Sequence, residues 1–452
     1  MRNQFADALK GQGANYIEIR WEQNEATHIT YRGRRLEEIG KTRSSGGNVR
    51  ALVKGSWGFV SFNHLDNLRE KIGLAIDEAE LANGEAFSLS PTEPVVDMVS
   101  VPRKKDSATV PLATKKQLLN EYNDVILSKP KIQSSSIMYQ DANRKVIFAN
   151  SEGSYIEQAK PDLTLRLTAI ARENSEIQQA GLSLGSRGDF SAIEGLHKEA
   201  AEIAGRAAAL LSAPEVRGGE YTVILDPILA GVFAHEAFGH LSESDFVYQN
   251  EELRNTMTLG RRFGAKHLNI VDDATIPNLR GSYKYDDEGV PSSKAYLIRE
   301  GILVGRLHSR ETAAKMGEKP TGNARAINYL FPPIVRMANT FIEPGGSSLE
   351  DMLSEIEEGV YVKDWYGGTT SLEMFTFSAG EAHMIRRGRL AELLRPVVLT
   401  GNVFVTLENI DAIGNDLGMN EGGGCGKGEQ VPLPVSNGSP HIRMRRCVVG
   451  GR

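Results

Sequence analysis

The sequence predicts an α+β protein of two domains, an N-terminal α/β-type domain over residues 1–213 and a C-terminal, mainly β domain over residues 218–452. Length is the first reason, because 452 residues exceed the roughly 250 to 300 that one hydrophobic core usually holds. In the first half, segments whose apolar residues recur with helical periodicity are interspersed with segments whose apolar and polar residues alternate, which indicates helices and strands. In the second half, short apolar runs are broken by Gly and Pro, which is typical of many short strands.

The N-terminal half is predicted to begin with an amphipathic helix over residues 2–11 and strands at Tyr16 to Trp21 and Ile29 to Tyr31. A glycine-rich stretch over residues 44–62 is typical of hairpins. The later elements of this half are helices over 64–82, 115–128 and 191–211, strands over 134–149 and 153–172, and an exposed, proline-rich connection over 84–112.

The segment SAPEVRGG at residues 212–219 combines Pro and Gly between two regular elements, and we expect the domain boundary there. The apolar run 221–234 is interrupted by Asp and Pro, so it is expected to form a buried strand and then a buried helix. Further strands are predicted at residues 295–308, 333–342, 372–386 and 395–406.

Composition limits the classes of partner. Lys and Arg number 52 against 58 Asp and Glu, and a net charge of -6 gives no general attraction to nucleic acid or to an anionic membrane. Residues 1–13 are polar and unlike a signal peptide. The chain has only two cysteines, so a disulfide framework is not expected and a reducing, cytoplasmic location is.

Residues 231–240 read GVFAHEAFGH, which places His235 and His240 five residues apart and Glu236 directly after the first histidine. In the commoner HExxH motif, histidines four apart share a zinc ion on one side of a helix. Five residues correspond to about 140° of rotation on a regular helix, which would point the two rings apart. Gly239 could let the backbone leave helical geometry, and a π-type turn would serve equally.

The motif alone leaves a second interpretation open, in which His235 packs in a core and His240 ends a helix. A catalytic zinc site needs a third ligand, and Cys425, within EGGGCGKGEQ, is the candidate because its glycines allow close approach to a metal. That segment could equally be a flexible turn. Cys447 lies in an alternating basic and apolar run, RMRRCVVGG, and is predicted to pack inside the protein.

These residues resemble the TldD/PmbA family of metallopeptidases, in particular its catalytic, TldD-like branch. The resemblance rests on five blocks of the second domain, whereas the first domain is similar more loosely. The blocks are DPILAGVFAHEAFGHLSESDF at 226–246, GSYKYDDEGVP at 281–291, PTGNARA at 320–326, PPIVRMANTFIEPG at 332–345 and CGKGEQVPLPVSNGSPHIRM at 425–444. Glu429 departs slightly from the order of residues expected in the last block.

The resemblance implies a C-terminal domain that carries the metal-binding helix, with Zn²⁺ held by His235, His240 and Cys425 and with Glu236 as the catalytic acid and base. It implies hydrolysis of small or unfolded peptides, in a heterodimer with a PmbA-like paralogue or in a homodimer. Four polar residues in glycine- and proline-shaped segments are candidates for binding the peptide or stabilising an oxyanion, or else for structural hydrogen bonding. They are Tyr283, Arg325, Arg336 and Asn339.

Two other functions come from different classes. A non-catalytic or regulatory subunit is the first, because the PmbA-like branch lacks the metal motif, and the intact HExxxH argues against it. Modulation of a DNA enzyme is the second, and the acidic composition gives it no electrostatic basis.

Overall fold

A computed structural model describes residues 1–82, 84–371 and 373–451, and it confirms the α+β class. The division into two domains at residues 212–219 stays a prediction. The elements of the first half are α1 (Arg2–Leu9), β1 (Tyr16–Arg32), β2 (Arg35–Val53), β3 (Ser56–Phe62), α2 (Leu68–Leu81), β4 (Val96–Val99), α3 (Leu112–Leu127), β5 (Ile132–Asn150), β6 (Tyr155–Glu173), β7 (Glu176–Ser186) and α4 (His197–Leu210).

One seven-stranded sheet organises the first half, in the order β3-β2-β1-β5-β6-β4, and β7 also pairs with β6. All pairings are antiparallel except that of β4 with β6. Helices α3 and α4 cover β5, β6 and β7, while α2 packs on β2 and β3. The apolar residues of these helices and strands form two cores. The opposite face of the central strands is left to form one wall of a cleft, described below.

The first half differs from the predictions in several respects. The two predicted early strands are one continuous strand, β1, and Gly46 and Gly47 lie within β2 rather than in a turn. The connection 84–112 is not wholly exposed, because it contributes β4 and buries Val101 and Val110. The last helix begins at His197 after a short 3₁₀ turn, Phe190–Ile193.

The second half consists of short elements. They are β8 (Gly219–Leu225), α5 (Pro227–Ala234), α6 (Ser244–Gln249), α7 (Glu251–Thr256), β9 (Ile270–Asp273), β10 (Lys294–Arg299), β11 (Ile302–Leu303), α8 (Arg310–Met316), β12 (Ala324–Arg325), β13 (Ile334–Val335), β14 (Asn339–Ile342), α9 (Leu349–Ser354), β15 (Glu358–Ser371), β16 (Met374–Arg386), β17 (Arg389–Leu394), β18 (Val397–Asn402), α10 (Val403–Glu408), β19 (Ile410–Ile413), β20 (Gly418–Asn420), β21 (Cys425–Lys427), β22 (Gln430–Leu433), β23 (Ser436–Ser439) and β24 (Ile442–Gly451).

Two sheets enclose α5. One has the order β15-β8-β24-β18-β16-β17, with β19 also on β24, and the other has the order β11-β10-β9-β14-β23-β20. Helix α5 contacts β15 and β8 on one side and β14, β20 and β23 on the other. Helix α5 is apolar on all sides and lies inside the largest hydrophobic core that the structure describes. The histidine motif that follows α5 therefore begins from a helix that both sheets hold in place.

The predicted strand 395–406 is correct only in its first part. The chain turns into α10 at Val403, because the Asn402 side chain accepts hydrogen bonds from the backbone N–H of Phe404 and Val405 and so starts a helix. The predicted strand 372–386 is observed as β16 from Met374, and residue 372 lies outside the described residues. Across the described ranges, no helix has the length and apolar character needed to span a bilayer.

Candidate metal centre

The histidine motif continues α5. Asp226 caps the helix, its carboxylate accepting a hydrogen bond of 2.9 Å from the backbone N–H of Leu229, and a proline occupies the first turn. The helix Pro227–Ala234 then widens into a π-helical turn, His235–Gly239, and tightens into a 3₁₀ turn, His240–Ser242. The motif therefore does leave regular α-helical geometry, as its five-residue spacing requires.

The π turn brings the two histidines to the same side. The backbone N–H of His240 donates to the carbonyl oxygen of His235, which closes a hydrogen bond five residues long. The wider turn packs closely on its neighbours at Gly239, where an added Cβ would lie 2.1 Å from the Met337 sulfur. The ring centroids of His235 and His240 are 5.1 Å apart, with the rings inclined at 83°.

Cys425 completes the group, although 185 residues separate it from His240. One potential ligand atom from each of His235, His240 and Cys425 lies within 4.8 Å of the other two, and the Cys425 sulfur is 3.5 Å from His240 Nε2. His235 and Cys425 are each 3% exposed, whereas the His240 side chain is 21% exposed. The group therefore opens to solvent on the His240 side.

Glu236 lies at this open side. Its Oε2 is 4.0 Å from His240 Nε2, and 26% of its side chain is exposed. It does not belong to the group of three ligand atoms. A carboxylate in this position can reach a water molecule at the group without filling a ligand position itself.

The position of Cys425 is set by a small hairpin. Cys425 begins β21, which pairs with β22, and both residues of the turn between them, Gly428 and Glu429, have positive φ. Arg336 donates hydrogen bonds to the carbonyl oxygens of Cys425 at 2.8 Å and Gln430 at 3.1 Å. Glu429, the residue that departs from the order expected in the family's last sequence block, is thus a turn residue. The two hydrogen bonds from Arg336 fix the path of the strand that carries Cys425.

A buried carboxylate supports His240 from behind. Glu243, which is fully buried, accepts from His240 Nδ1 at 3.0 Å and pairs with Lys427 at 3.1 Å. Lys427 also contacts Asp245 at 2.6 Å. This network joins the histidine segment to the cysteine hairpin, and it leaves His240 Nε2 free to face Cys425.

The electrostatics favour an anionic sulfur. Burial alone raises the pKa of a thiol, but the adjacent His235 and His240 hold the pKa of Cys425 well below its usual range. Burial likewise disfavours a charged His240, yet Glu243 and Cys425 raise its pKa well above the usual value. The carboxylate of Glu243 has its pKa lowered to about 2, since His240 and Lys427 outweigh the effect of burial.

The residues present fit a zinc ion. Two imidazoles and a thiolate form one of the donor sets that Zn²⁺ takes, and three protein ligands leave a fourth position open. His235 Nδ1 is buried and has no hydrogen-bond partner within the described ranges. Cys447, in contrast, is buried in β24 and belongs to no such group among the residues that the structure describes, and burial raises its pKa to about 12.

The four predicted substrate residues are buried and each donates hydrogen bonds within the protein, although Arg336 Nε and Asn339 Oδ1 have no partner among the described residues. Arg336 and Asn339 are fully buried, Tyr283 is 7% exposed and Arg325 is 8% exposed. Asn339 donates to Asp273 O and Ser282 Oγ, the Tyr283 hydroxyl to Gly322 O, and Arg325 to Met337 O and Pro434 O. These bonds correspond to the structural alternative, and contact with substrate stays a prediction.

The sequence interpretation missed Glu243 and Lys427. A signal was present for each. Glu243 follows His240 by three residues, the spacing at which side chains on a helical turn meet, and Lys427 follows Cys425 by two, which puts both on one face of a strand.

Three family models match successive parts of the chain. The family model described as PmbA/TldA metallopeptidase C-terminal domain matches residues 218–451. Those for the central domain and for domain 1 match residues 105–208 and 17–82. The chain belongs to the PmbA/TldD family of metallopeptidases. The resemblance that the sequence motifs predicted is thereby confirmed.

Relatives extend over nearly the whole chain. "Metalloprotease slr0863" of Synechocystis is 48% identical over 440 residues, which is 97% of this chain and 95% of that protein. "Zinc metalloprotease TldD homolog" of Saccharolobus solfataricus is 31% identical over 451 residues, or 97% of each. The crystal structure of TldE from Thermococcus kodakarensis has a TM-score of 0.78 at 17% identity and covers 100% of both chains, which shows a shared fold.

Proposed function

We propose that this metallopeptidase-family chain is a zinc-dependent peptidase in which His235, His240 and Cys425 bind Zn²⁺ and Glu236 is the general base. The observation that carries the proposal is the convergence of three buried or half-buried donor atoms within 4.8 Å, from segments far apart in sequence. The printed names of the relatives, metalloprotease and zinc metalloprotease, support it.

His235, His240 and Cys425 would hold a zinc ion, which when bound would supply an activated water, with a pKa lowered to about 7, and a Lewis acid for the peptide carbonyl. The chain's own residues carry out the proton transfers and orient the ligands. Glu236 lies beside the group with an accessible carboxylate, so its Oε2 can accept the proton of the attacking water and return it to the leaving amine. Glu243 accepts from His240 Nδ1 and so fixes the tautomer in which Nε2 is the ligand atom.

The proposed substrates are small or unfolded peptides, because an extended segment can reach a group recessed between two regions of the protein. We further propose that the chain works in the cytoplasm, as a heterodimer with a PmbA-like paralogue or as a homodimer. The alternative, a non-catalytic subunit of the same family, is less favoured because Glu236 and all three donors are present. Sedimentation of the chain with and without the paralogue, followed by a peptidase assay of each species, tests the partner.

The two cysteines provide a matched test of the metal assignment. Both are buried, at 3% and 5% exposure, and Cys→Ala removes the same atom at each position. We expect Cys425→Ala to lose bound zinc when measured by elemental mass spectrometry, and Cys447→Ala to keep it. Stoichiometric zinc of unchanged affinity in Cys425→Ala would show that the third ligand is another residue.

The role of Glu236 is tested by Glu236→Gln, which preserves shape and removes the base. We expect the variant to keep its zinc and its melting temperature and to lose at least about 100-fold in kcat, the usual contribution of general base catalysis. Glu350→Gln, the same change at an exposed residue of α9, is the control. Full activity in Glu236→Gln would remove this residue from the mechanism.

A further inference from the structure

A cavity of about 1040 Å³ lies between the N-terminal sheet and several segments of the second half of the chain. Its floor is the face of β1, β5, β6 and β7 that the helices leave uncovered. Its opposite wall includes residues 327–330, residues 422–424, Val431, Pro432 and Pro434. Residues 422–424 lead directly into Cys425. The cavity therefore lies over the N-terminal sheet and beside the segment that leads into Cys425, while the proposed zinc ligands themselves do not line it.

Apolar side chains are exposed around this cavity. Met138 is 52%, Leu330 53% and Val431 61% exposed, and all three line it, from three different segments of the chain. Single exposed apolar residues are ordinary, but several that converge on one concavity are typical of a binding site.

The charged side chains of the cavity are paired, with one exception. The pairs are Arg144 with Glu22 at 3.8 Å, Lys160 with Asp287 at 2.5 Å, Arg280 with Asp162 at 2.6 Å and His28 with Glu38 at 3.3 Å. Arg166, in β6, is exposed and is the lining charge that has neither an ion pair nor a side-chain hydrogen bond with any described residue.

The register of the sheet places Arg166 close to the metal centre. Arg166 lies opposite Met138 of β5 on one side and Ser183 of β7 on the other. Facing residues in a sheet have Cβ atoms about 5 Å apart. The Ser183 hydroxyl donates to the carbonyl oxygen of Gly422 at 2.7 Å, and the three residues from Gly422 to Cys425 span at most about 10 Å. A peptide a few residues long can touch both Arg166 and the metal centre.

We infer that this cavity is the substrate cleft and that Arg166 binds a carboxylate of the peptide, while Met138, Leu330 and Val431 contact an apolar side chain next to it. The inference rests on the proposed peptidase function and adds a preference to it. A carboxylate matches a guanidinium that has five N–H donors and no partner. It could belong to the peptide's C-terminus or to an acidic side chain.

Direct binding separates these possibilities without turnover. The probes are three short, unstructured, dye-labelled peptides composed of Ala, Gly, Ser and Leu. The first is neutral, with an amidated C-terminus. The second has a free C-terminal carboxylate, and the third has an amidated C-terminus and a single internal Glu. Fluorescence anisotropy is measured on zinc-loaded Glu236→Gln full-length chain. We expect at least one carboxylate peptide to bind about five- to tenfold more tightly than the neutral one, and the better of the two identifies the source. The advantage should shrink as salt is raised.

Adding Arg166→Gln should remove this advantage and its salt dependence, whereas Arg166→Lys should keep part of both. The control is Arg172→Gln, an exposed arginine of the same strand outside the cavity, which should bind all three peptides as the parent does. If wild-type chain cleaves the peptides but Arg166→Gln keeps the full carboxylate preference, or if the parent has none, the Arg166 assignment is wrong and the proposed function stands. If the wild-type chain neither binds nor cleaves any of them, both alone and with the paralogue added, the proposed function fails and the cleft with it.

Discussion

Replacing Glu243 tests whether the carboxylate behind His240 matters for the metal. Its Oε2 accepts a hydrogen bond from His240 Nδ1 at 3.0 Å and forms an ion pair with Lys427 Nζ at 3.1 Å, and the side chain is shielded from water. Glu243→Gln keeps the shape and removes the charge. Loss of such a carboxylate commonly lowers metal affinity by about 10- to 100-fold, which corresponds to about 1.4 to 2.7 kcal/mol.

The free energy of unfolding should also fall. An uncompensated buried charge costs about 3 to 5 kcal/mol, but Lys427 keeps its contact with Asp245 at 2.6 Å, so we expect a smaller loss, about 1 to 3 kcal/mol. Zinc affinity is measured by competition with a chelating dye, and stability by urea unfolding of metal-free protein.

The control for this change is Glu381→Gln. Glu381 contacts His383 at 3.0 Å on β16, outside the group of ligand atoms, so the same chemical change is made beside a histidine that is not a proposed ligand. We expect its zinc affinity to equal that of wild type. If Glu243→Gln also binds zinc as wild type does, the carboxylate neither orients nor strengthens His240 and the reasoning is refuted.

Two further predictions concern the helix that carries the motif. Gly231→Ala should lower the free energy of unfolding by about 1 to 3 kcal/mol, because the added Cβ would lie 2.7 Å from the backbone of Gly438. The control is Gly205→Ala on α4, where the added Cβ meets no atom, so urea unfolding should show a neutral or stabilising effect. Burial raises the pKa of Asp226 in the folded protein to about 7, whereas the pKa of Asp in an unfolded chain is about 3.9. As the pH rises, the unfolded chain therefore loses this proton first, and the free energy of unfolding falls between about pH 4 and pH 7. Asp226→Asn still caps Leu229 and should flatten that part of the melting-temperature profile, and an unchanged profile would exclude Asp226 as its cause.

The histidines and the glutamate of the proposed site could be recognised in the sequence because they form one short motif, whereas Cys425 lies 185 residues from His240 and was a candidate through the need for a third ligand and the family resemblance. His235, Glu236 and His240 are adjacent in the chain, and their five-residue spacing by itself required a distorted helix, which is the π turn observed. The spacing could not show why position 239 is a glycine. In the structure Met337, far away in sequence, comes so close that a Cβ at position 239 would clash with its sulfur.

Other features depend on contacts that periodicity does not encode. Strand β7 was not predicted, and its residues take their conformation from the long antiparallel pairing with β6. The helix at residues 403–408 has the apolar, β-branched composition of a strand, and a single side chain, that of Asn402, reverses the preference. Arg336 was a candidate either for substrate binding or for structural hydrogen bonding. Its burial and its two hydrogen bonds to the hairpin of Cys425 could be known only from the fold.

The two walls of the cleft come from distant parts of the chain, and buried ion pairs join those parts. Arg50 of β2 contacts Glu288 at 3.0 Å, and Lys160 of β6 contacts Asp287 at 2.5 Å, with each side chain no more than 15% exposed. Buried pairs of this kind add little net stability compared with apolar contacts, but each is costly to break and is satisfied in one geometry. We therefore infer that they hold the N-terminal sheet at a fixed position relative to Cys425. Substitutions on the cleft face of the sheet can then change which peptides bind while the metal centre keeps its geometry.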